Sequence, residues 1–189
     1  PDATGGIRPY MLDYVAMRFM HPHPNVPGET YPGVCHRWAV DEETKTVYME
    51  INPAARWSDG VEVTTDDVVF TWYFYRSPHL NEPWYNDFYT KTYSKLTIYD
   101  RHRFAITLPE LKPDIVTRAS DIAPYPKHAY QDFGPGWLQR YNWRTLPNTG
   151  AYIIEEDDVG RADRGARLIE PVIEMIGVEL VEQERVRAD

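Results

Sequence analysis

The stretch that most restricts the fold is residues 45–76, where a strand, a turn and a helix follow one another directly. The letters KTVYMEI at 45–51 alternate with the period of a half-buried strand. SDG at 58–60 predicts a turn, because Gly60 readily takes the positive φ that an Asp-Gly turn often needs. VEV at 61–63 predicts another short strand. These elements begin a chain in which strands and helices alternate.

The helix that follows has a recognisable start and end. Thr64 is predicted to cap it, with Asp67 three residues later as an acidic variant of the capping box. Asp66 and Asp67 also favour the positive end of the helix dipole. Pro78 disfavours helical geometry at the residue before it, so the helix should end there. An apolar stripe along this helix is predicted to consist of Val68, Trp72 and Tyr75, extended by Val69 and Tyr73.

Elements are also predicted on both sides of this region. Residues 7–20 carry apolar side chains at helical intervals and predict a short helix. Residues 21–33 contain four prolines and two glycines, which predicts no regular structure. Residues 94–110 predict a β-hairpin that turns at 100–103. Because a hairpin excludes a purely parallel sheet, the predicted class is mixed α/β.

Two shorter elements are predicted near the end of the chain. Residues 124–134, PYPKHAYQDFG, predict a short helix with Pro126 in its first turn and Gly134 at its end. Residues 149–157, TGAYIIEED, predict a strand.

The composition excludes several classes of protein. A chain of 189 residues can form one domain with a core. The net charge of −9 argues against nucleic-acid binding, which depends on neutralising phosphates. Cys35 is the only cysteine, so neither an intramolecular disulfide nor a thiolate zinc cluster can form. No apolar run reaches the ~20 residues that span a bilayer. Because the sequence starts at Pro1, we expect a mature or excised piece.

Two linked motifs resemble the family 5 extracellular solute-binding proteins, the peptide- and nickel-type receptors of ABC importers. The first joins an alternating strand, a Trp-x-Asp-Gly turn and a Thr-capped acidic helix, here TVYMEINPAARWSDG and VEVTTDDVVFTW. The second is a Pro-Lys-His helix, a Trp-containing segment and a Thr-Gly-x-Tyr strand, here YPKHAYQDFGPGWLQRYNWRTLPNTGAY. The resemblance covers roughly residues 10–154. Asn52 and Ala151 depart from the basic residue and the proline that are usual in the family.

The resemblance implies a fold and a function. The fold is a mixed-sheet, type II periplasmic-binding-protein lobe, with residues 1–155 as part of lobe one and 156–189 as an unaligned tail. The function is non-catalytic binding of a solute, expected to be an oligopeptide, for an ABC importer, with no cofactor. A nickel complex, haem or an oligosaccharide stays open as ligand. The partner is a membrane permease, reached through the full-length receptor, and the location is periplasmic or extracellular, with or without a membrane anchor.

The resemblance also implies where ligand binds. In the family's peptide receptors an aromatic residue just beyond the acidic helix lines the cleft, and NEPWYNDFY is the matching stretch. Aromatic rings with one polar group suit a ligand of mixed character. The alternative is that these rings pack against the hairpin. The candidate ligand-binding residues are Trp84, Tyr85, Phe88 and Tyr89. The turn and helix motif is predicted to be scaffold, with Trp57 packed under the helix, and its residues are Trp57, Asp59, Gly60, Thr64 and Asp67.

Two other classes of function stay open. The first is a small metal-dependent hydrolase, because imidazole and thiolate groups at His21, His23, Cys35 and His36 are types that bind zinc or copper. Their spacing matches no zinc pattern, and the sequence has no nucleophile elbow or phosphate loop. The second is a free-standing interaction domain that uses its tail. Uncovered apolar surface also predicts self-association of the isolated chain. His128 is predicted to be a packing residue.

Overall fold

The computed structural model describes residues 16–79, 83–130, 132–141, 146–154 and 166–168. Within these ranges the strands are β1 Met20–Pro22, β2 Thr30–Pro32, β3 Cys35–Asp41, β4 Thr46–Ile51, β5 Lys95–Ile98, β6 Arg103–Thr107, β7 Tyr152–Ile154 and β8 Ala166–Leu168. The helices are α1 Thr65–Arg76, α2 Pro83–Thr92, α3 Ile115–Ser120 and α4 Trp137–Tyr141, and a 3-10 turn occupies Lys127–Tyr130. This mixture of strands and helices confirms the predicted α/β class.

Four strands form the central antiparallel sheet in the order β3-β4-β6-β5. Strand β4 confirms the predicted strand, and its alternation buries Val47, Met49 and Ile51 to 2% exposure or less. Strand β6 sets Phe104 opposite Met49 and Ile106 opposite Val47. Cross-strand pairs of large apolar side chains stabilise such a face. The period-2 pattern therefore predicted the inner face of the sheet correctly.

Strands β5 and β6 form the predicted hairpin. Asp100 closes its turn, because one carboxylate oxygen accepts hydrogen bonds from the backbone N–H groups of His102 and Arg103, at 2.9 Å each. An aspartate that bonds the backbone two or three residues later is a common way to close a turn. The hairpin thus follows from local sequence.

The N-terminal part differs from its prediction. The helix predicted over 7–20 is wrong for residues 16–20, where the chain has no helix and enters β1; residues 7–15 lie outside the described part. The proline-rich segment also forms regular structure, because β1 and β2 pair as a short antiparallel hairpin. Pro22 and Pro32 each stand at the end of a strand. Proline, which has no N–H to donate, is tolerated at such edge positions. The prediction of no regular structure over 21–33 is therefore wrong, because the number of prolines does not indicate where in a strand each one lies.

Helix α1 begins and ends as predicted, and its predicted stripe of Val68, Trp72 and Tyr75 packs on the larger core cluster. Val68, Thr71 and Phe74 are each at most 3% exposed. Val69 and Tyr73 are 45% and 52% exposed, so the prediction that they extend the buried stripe is wrong. The larger core cluster includes Val68 of this helix, and the aromatic cluster around Tyr130 includes Phe74. These tertiary contacts decide which residues of the helix are buried.

Two short elements were predicted too long. Residues 61–63 form no strand, and only a single bridge joins Glu62 to Arg56. The helix predicted over 124–134 is reduced to the 3-10 turn Lys127–Tyr130. Side-chain contacts with α1, described below, hold the backbone of this segment.

The buried side chains form two clusters. The larger one lies between the central sheet, α1, α2 and α3, and includes Phe19, Trp57 and Val63. The smaller one is aromatic and centres on Phe74 and Tyr130. Strand β7 confirms the middle of the strand predicted over 149–157 and pairs with β8; residues 149–151 are not in a strand, and 155–157 lie outside the described part. Among the described residues, no helix is long and apolar enough to cross a membrane.

Candidate ligand-binding site

The Trp-Ser-Asp-Gly turn is closed by its own backbone. The Trp57 N–H donates to the Val61 carbonyl and the Gly60 N–H donates to the Trp57 carbonyl, both at 2.8 Å. Gly60 has φ +86°, the left-handed conformation that favours glycine. Asp59 accepts a hydrogen bond from the Val61 N–H at 3.1 Å. The turn therefore brings Trp57 back beneath the start of α1, where the indole is 3% exposed.

Asp67 connects this turn to the helix. Its Oδ2 accepts hydrogen bonds from the Thr64 N–H at 2.9 Å and from the Trp57 indole N–H at 3.4 Å. Its Oδ1 accepts one from the Lys127 N–H at 2.9 Å. Asp67 is 4% exposed, and this burial raises the pKa of its carboxyl even though the three donors oppose the shift. One carboxylate thus satisfies donors from three separate segments.

The second motif packs directly on the first. The Tyr125 N–H donates to the Thr71 hydroxyl at 2.8 Å, and the Lys127 ammonium pairs with Asp66 at 2.8 Å. His128 Nε2 lies 2.7 Å from an Asp59 carboxylate oxygen, and its ring stands edge-on to Trp57. His128 is therefore more than the packing residue that was predicted. We name this assembly of 57–67 with 125–128 the joint.

Beside the joint lies an open groove of about 1010 Å³. Its charged side chains already pair with one another: Asp66 with Lys127, and Glu62 with Arg101 at 2.6 Å. Hydrogen bonds from Arg101 and then from His102 lower the pKa of Glu62 to about 2. The Glu62–Arg101 pair ties the joint to the β5–β6 turn. The apolar and aromatic lining of the groove consists of Val61, Phe70, Tyr73, Ile98, Tyr130 and Phe133.

All four candidate ligand-binding residues lie on helix α2, but in different settings. Tyr89 is 9% exposed and stacks on Tyr75 of α1, with ring centroids 4.0 Å apart. Phe88 is 43% exposed. Trp84 and Tyr85 belong to the first turn of the helix, and their side chains lie outside the described part. Tyr89 therefore packs against α1, whereas Phe88 is exposed to solvent.

Sequence reasoning missed one of the residues that attach α2 to α1. The Arg76 guanidinium lies 3.5 Å from the centroid of the Trp72 ring. It donates hydrogen bonds to the carbonyl oxygens of Tyr89, at 2.8 Å, and Tyr93, at 3.1 Å. A basic residue in the last turn of a helix indicates an interaction with that helix's own dipole. Nothing in the pattern indicated a contact with the next helix.

The histidines and cysteine considered for metal binding have other surroundings. His21 stacks on Tyr31, and His23 stands edge-on to the same ring. Cys35 is fully buried, and burial, followed by the charge of Glu50, raises the pKa of its thiol. In the part of the chain that the structure describes, no three His, Cys, Asp or Glu side chains are grouped to hold a metal ion. The metal-dependent hydrolase thus receives no support.

Solved structures define the class of fold. An oligopeptide-binding protein, AppA, from Bacillus subtilis in complex with a nonapeptide has a TM-score of 0.64 and 14% identity, over 79% of this chain and 30% of that one. A mannohexaose-bound periplasmic oligopeptide-binding protein from Thermotoga maritima has a TM-score of 0.69 and 16% identity, over 88% and 30%. NikZ from Campylobacter jejuni in complex with Ni(L-His) has a TM-score of 0.62 and 19% identity, over 79% of this chain and 29% of NikZ. The chain therefore has part of the type II periplasmic-binding-protein fold.

The sequence comparison is more specific. The family model "Bacterial extracellular solute-binding proteins, family 5 Middle" matches residues 29–167, and the chain belongs to this family. It is 29% identical over 149 residues to the periplasmic oligopeptide-binding protein OppA of Salmonella typhimurium, covering 69% of the chain and 26% of OppA. It is 26% identical over 148 residues to the periplasmic murein peptide-binding protein MppA of Escherichia coli, covering 70% of the chain and 27% of MppA. The chain thus spans about a quarter of these relatives.

Proposed function

We propose that this chain is part of lobe one of a solute-binding protein that delivers oligopeptides to an ABC importer. Membership of the family over residues 29–167 carries the proposal. Two relatives named for binding oligopeptides and murein peptides support the choice of ligand. The protein binds its ligand without transforming it, in the periplasm, and passes it to a membrane permease. Residues 1–155 belong to lobe one, and residues 156–189 form the tail.

Helix α2 provides the ligand contact of this lobe. Phe88 offers an exposed ring, and Trp84 and Tyr85 belong to the same helix. On this helix Asp87 and Lys91 pair at 2.7 Å and neutralise each other, which favours contact with uncharged parts of a ligand. Aromatic surfaces of this kind accept varied side chains, while backbone groups of a peptide are met elsewhere in the cleft. Tyr89 supports the helix from its buried side.

Titration calorimetry on the gene product that contains this chain tests the proposal. The first probe is the peptide RPPGFSPFR, which is bound in the structure of Haemophilus influenzae OppA, together with a mixed library of shorter peptides. Ni(L-His) and mannohexaose are the other probes, because related folds bind them. Saturable binding of peptide, and of neither other probe, supports the proposal. Binding of only the nickel complex or only the sugar overturns the choice of ligand.

A substitution in α2 tests the contact itself. Phe88→Ala is expected to weaken peptide binding roughly tenfold, because a truncated aromatic contact commonly costs more than 1 kcal/mol. Tyr99→Ala is the matched control, since Tyr99 is also exposed, at 55%, but stacks on Tyr48 of the sheet. Equal affinities for the two variants would argue that α2 makes no ligand contact.

The isolated chain has a second expected property. Val69 and Tyr73 are exposed on α1, so the 189-residue chain carries apolar surface that favours self-association. Light scattering measures the self-association directly. The double substitution Val69→Lys with Tyr73→Gln is expected to restore the monomer. A wild-type chain that stays monomeric at all accessible concentrations contradicts the expectation.

A further inference from the structure

Arg76 is a side chain of α1 that contacts both α1 and the end of α2. The Arg76 guanidinium carbon lies 3.5 Å from the centroid of the Trp72 ring of α1. Arg76 Nη1 also donates a long hydrogen bond to the Trp72 carbonyl, at 3.4 Å. Its Nη2 donates to the carbonyls of Tyr89 and Tyr93 at 2.8 and 3.1 Å. These two carbonyls belong to the last turn of α2 and the residue just after it.

The chemistry of this contact is specific to arginine. The last carbonyls of a helix lack partners within the helix, and a cation near them also interacts favourably with the helix dipole. A planar guanidinium can stack on an indole while its edge donates hydrogen bonds, which the compact ammonium of lysine cannot do. Burial lowers the pKa of Arg76, so the group has given up part of its hydration to make these contacts.

Arg76 shares the C-terminal end of α2 with Tyr93, which is 2% exposed and whose hydroxyl donates to the Arg118 carbonyl at 3.0 Å. Asn86 donates to the Ser77 carbonyl at 3.2 Å, near the middle of α2. Tyr89 stacks on Tyr75 with ring centroids 4.0 Å apart. The two bonds of Arg76 add a directional link to these contacts at the end of α2, and one of their acceptors, Tyr89, is next to the exposed Phe88.

We propose that Arg76 is a positioning residue that sets the orientation of α2 and thereby the aromatic face presented to ligand. The ligand part of this inference rests on the proposed function. Arg76 acts through α2 and contacts no ligand. Its replacement is expected to loosen α2 locally, without unfolding the sheet.

Amide hydrogen exchange on the gene product tests the orientation directly. Arg76→Lys is expected to raise the exchange rates of the amides at 89–94 roughly tenfold or more, because hydrogen bonds to charged groups are among the stronger ones. The amides of β4 and β6 should keep their rates. Arg103→Lys is the matched control, since Arg103 forms only an exposed pair with Asp100 in the β5–β6 turn. Unchanged exchange at 89–94, or equal acceleration throughout the sheet, overturns the inference.

Binding of RPPGFSPFR by the same protein completes the test. Arg76→Lys and Phe88→Ala should each weaken binding, while Phe88→Ala leaves exchange in α2 unchanged. The double variant should lose less than the product of the two single losses, because Arg76 acts through the face that includes Phe88. Strictly multiplicative losses overturn the coupling. If Phe88→Ala has no effect on binding while Arg76→Lys still accelerates exchange in α2, the orientation is supported and the proposed binding face fails.

Discussion

Asp67 provides the sharpest test of the joint. Its two oxygens accept hydrogen bonds from the Thr64 N–H, the Trp57 indole and the Lys127 N–H, so the carboxylate holds the turn, the helix start and the second motif together. We consider two substitutions. Asp67→Ala removes both acceptor oxygens and so leaves all three donors without this partner. Asp67→Asn keeps one oxygen but turns an amide NH₂ group toward a donor on the other side.

The magnitude follows from these contacts. Loss of a helix cap costs about 1 kcal/mol, and a buried donor left without a partner costs about 1–3 kcal/mol. The cost of burying the Asp67 charge, visible in its raised pKa, is relieved in both variants and offsets part of this loss. We therefore expect Asp67→Ala to lower the free energy of unfolding by about 2–4 kcal/mol. Asp67→Asn should lose about 1–2 kcal/mol, because one oxygen remains.

Thermal and urea unfolding of the 189-residue chain measure the effect. A loss of 2–4 kcal/mol corresponds to a fall in Tm of roughly 5–15 °C for a chain of this size. Asp66→Asn is the control, because Asp66 is adjacent but 72% exposed and pairs only with the Lys127 ammonium. Its substitution should change stability by no more than about 0.5 kcal/mol. If Asp67→Asn and Asp67→Ala both match this control, the reasoning about the joint is refuted.

Two glycines and one acidic residue allow further tests of the fold. Gly33→Ala places a Cβ 2.3 Å from a backbone carbonyl oxygen, so the free energy of unfolding should fall by about 3 kcal/mol. At Gly60 an added Cβ meets open space but the backbone has φ +86°, so Gly60→Ala should lower it by about 1 kcal/mol. Equal falls in Tm for the two variants would contradict this comparison. Bonds from Arg101 and then His102 lower the pKa of Glu62 to about 2, so its stabilisation is present above its unfolded pKa and is lost as pH falls toward 2. The Tm difference between wild type and Glu62→Gln should therefore shrink between pH 6 and pH 2, and a difference that grows on acidification would contradict the assignment.

Local sequence determined the elements whose information lies within a few residues. The strand at 46–51 follows from its alternation, and the turn at Gly60 from a positive φ. The helix start at Thr64 follows from the hydrogen bond between the Thr64 N–H and the Asp67 carboxylate three residues later. The order of two motifs was enough to predict the family. For the candidate site, the sequence identified the aromatic run that α2 contains, because a run of aromatic residues is visible without knowing the fold.

Only the tertiary structure decided which side chains are buried and which segments meet. Tyr89 and Phe88 are neighbours of similar character, yet one packs on Tyr75 and the other is exposed, because α1 contacts only one side of α2. The pairing of β1 with β2 and the contact of Arg76 with the end of α2 likewise join distant residues. Such contacts leave no periodic trace in the sequence, since their geometry depends on how whole elements pack.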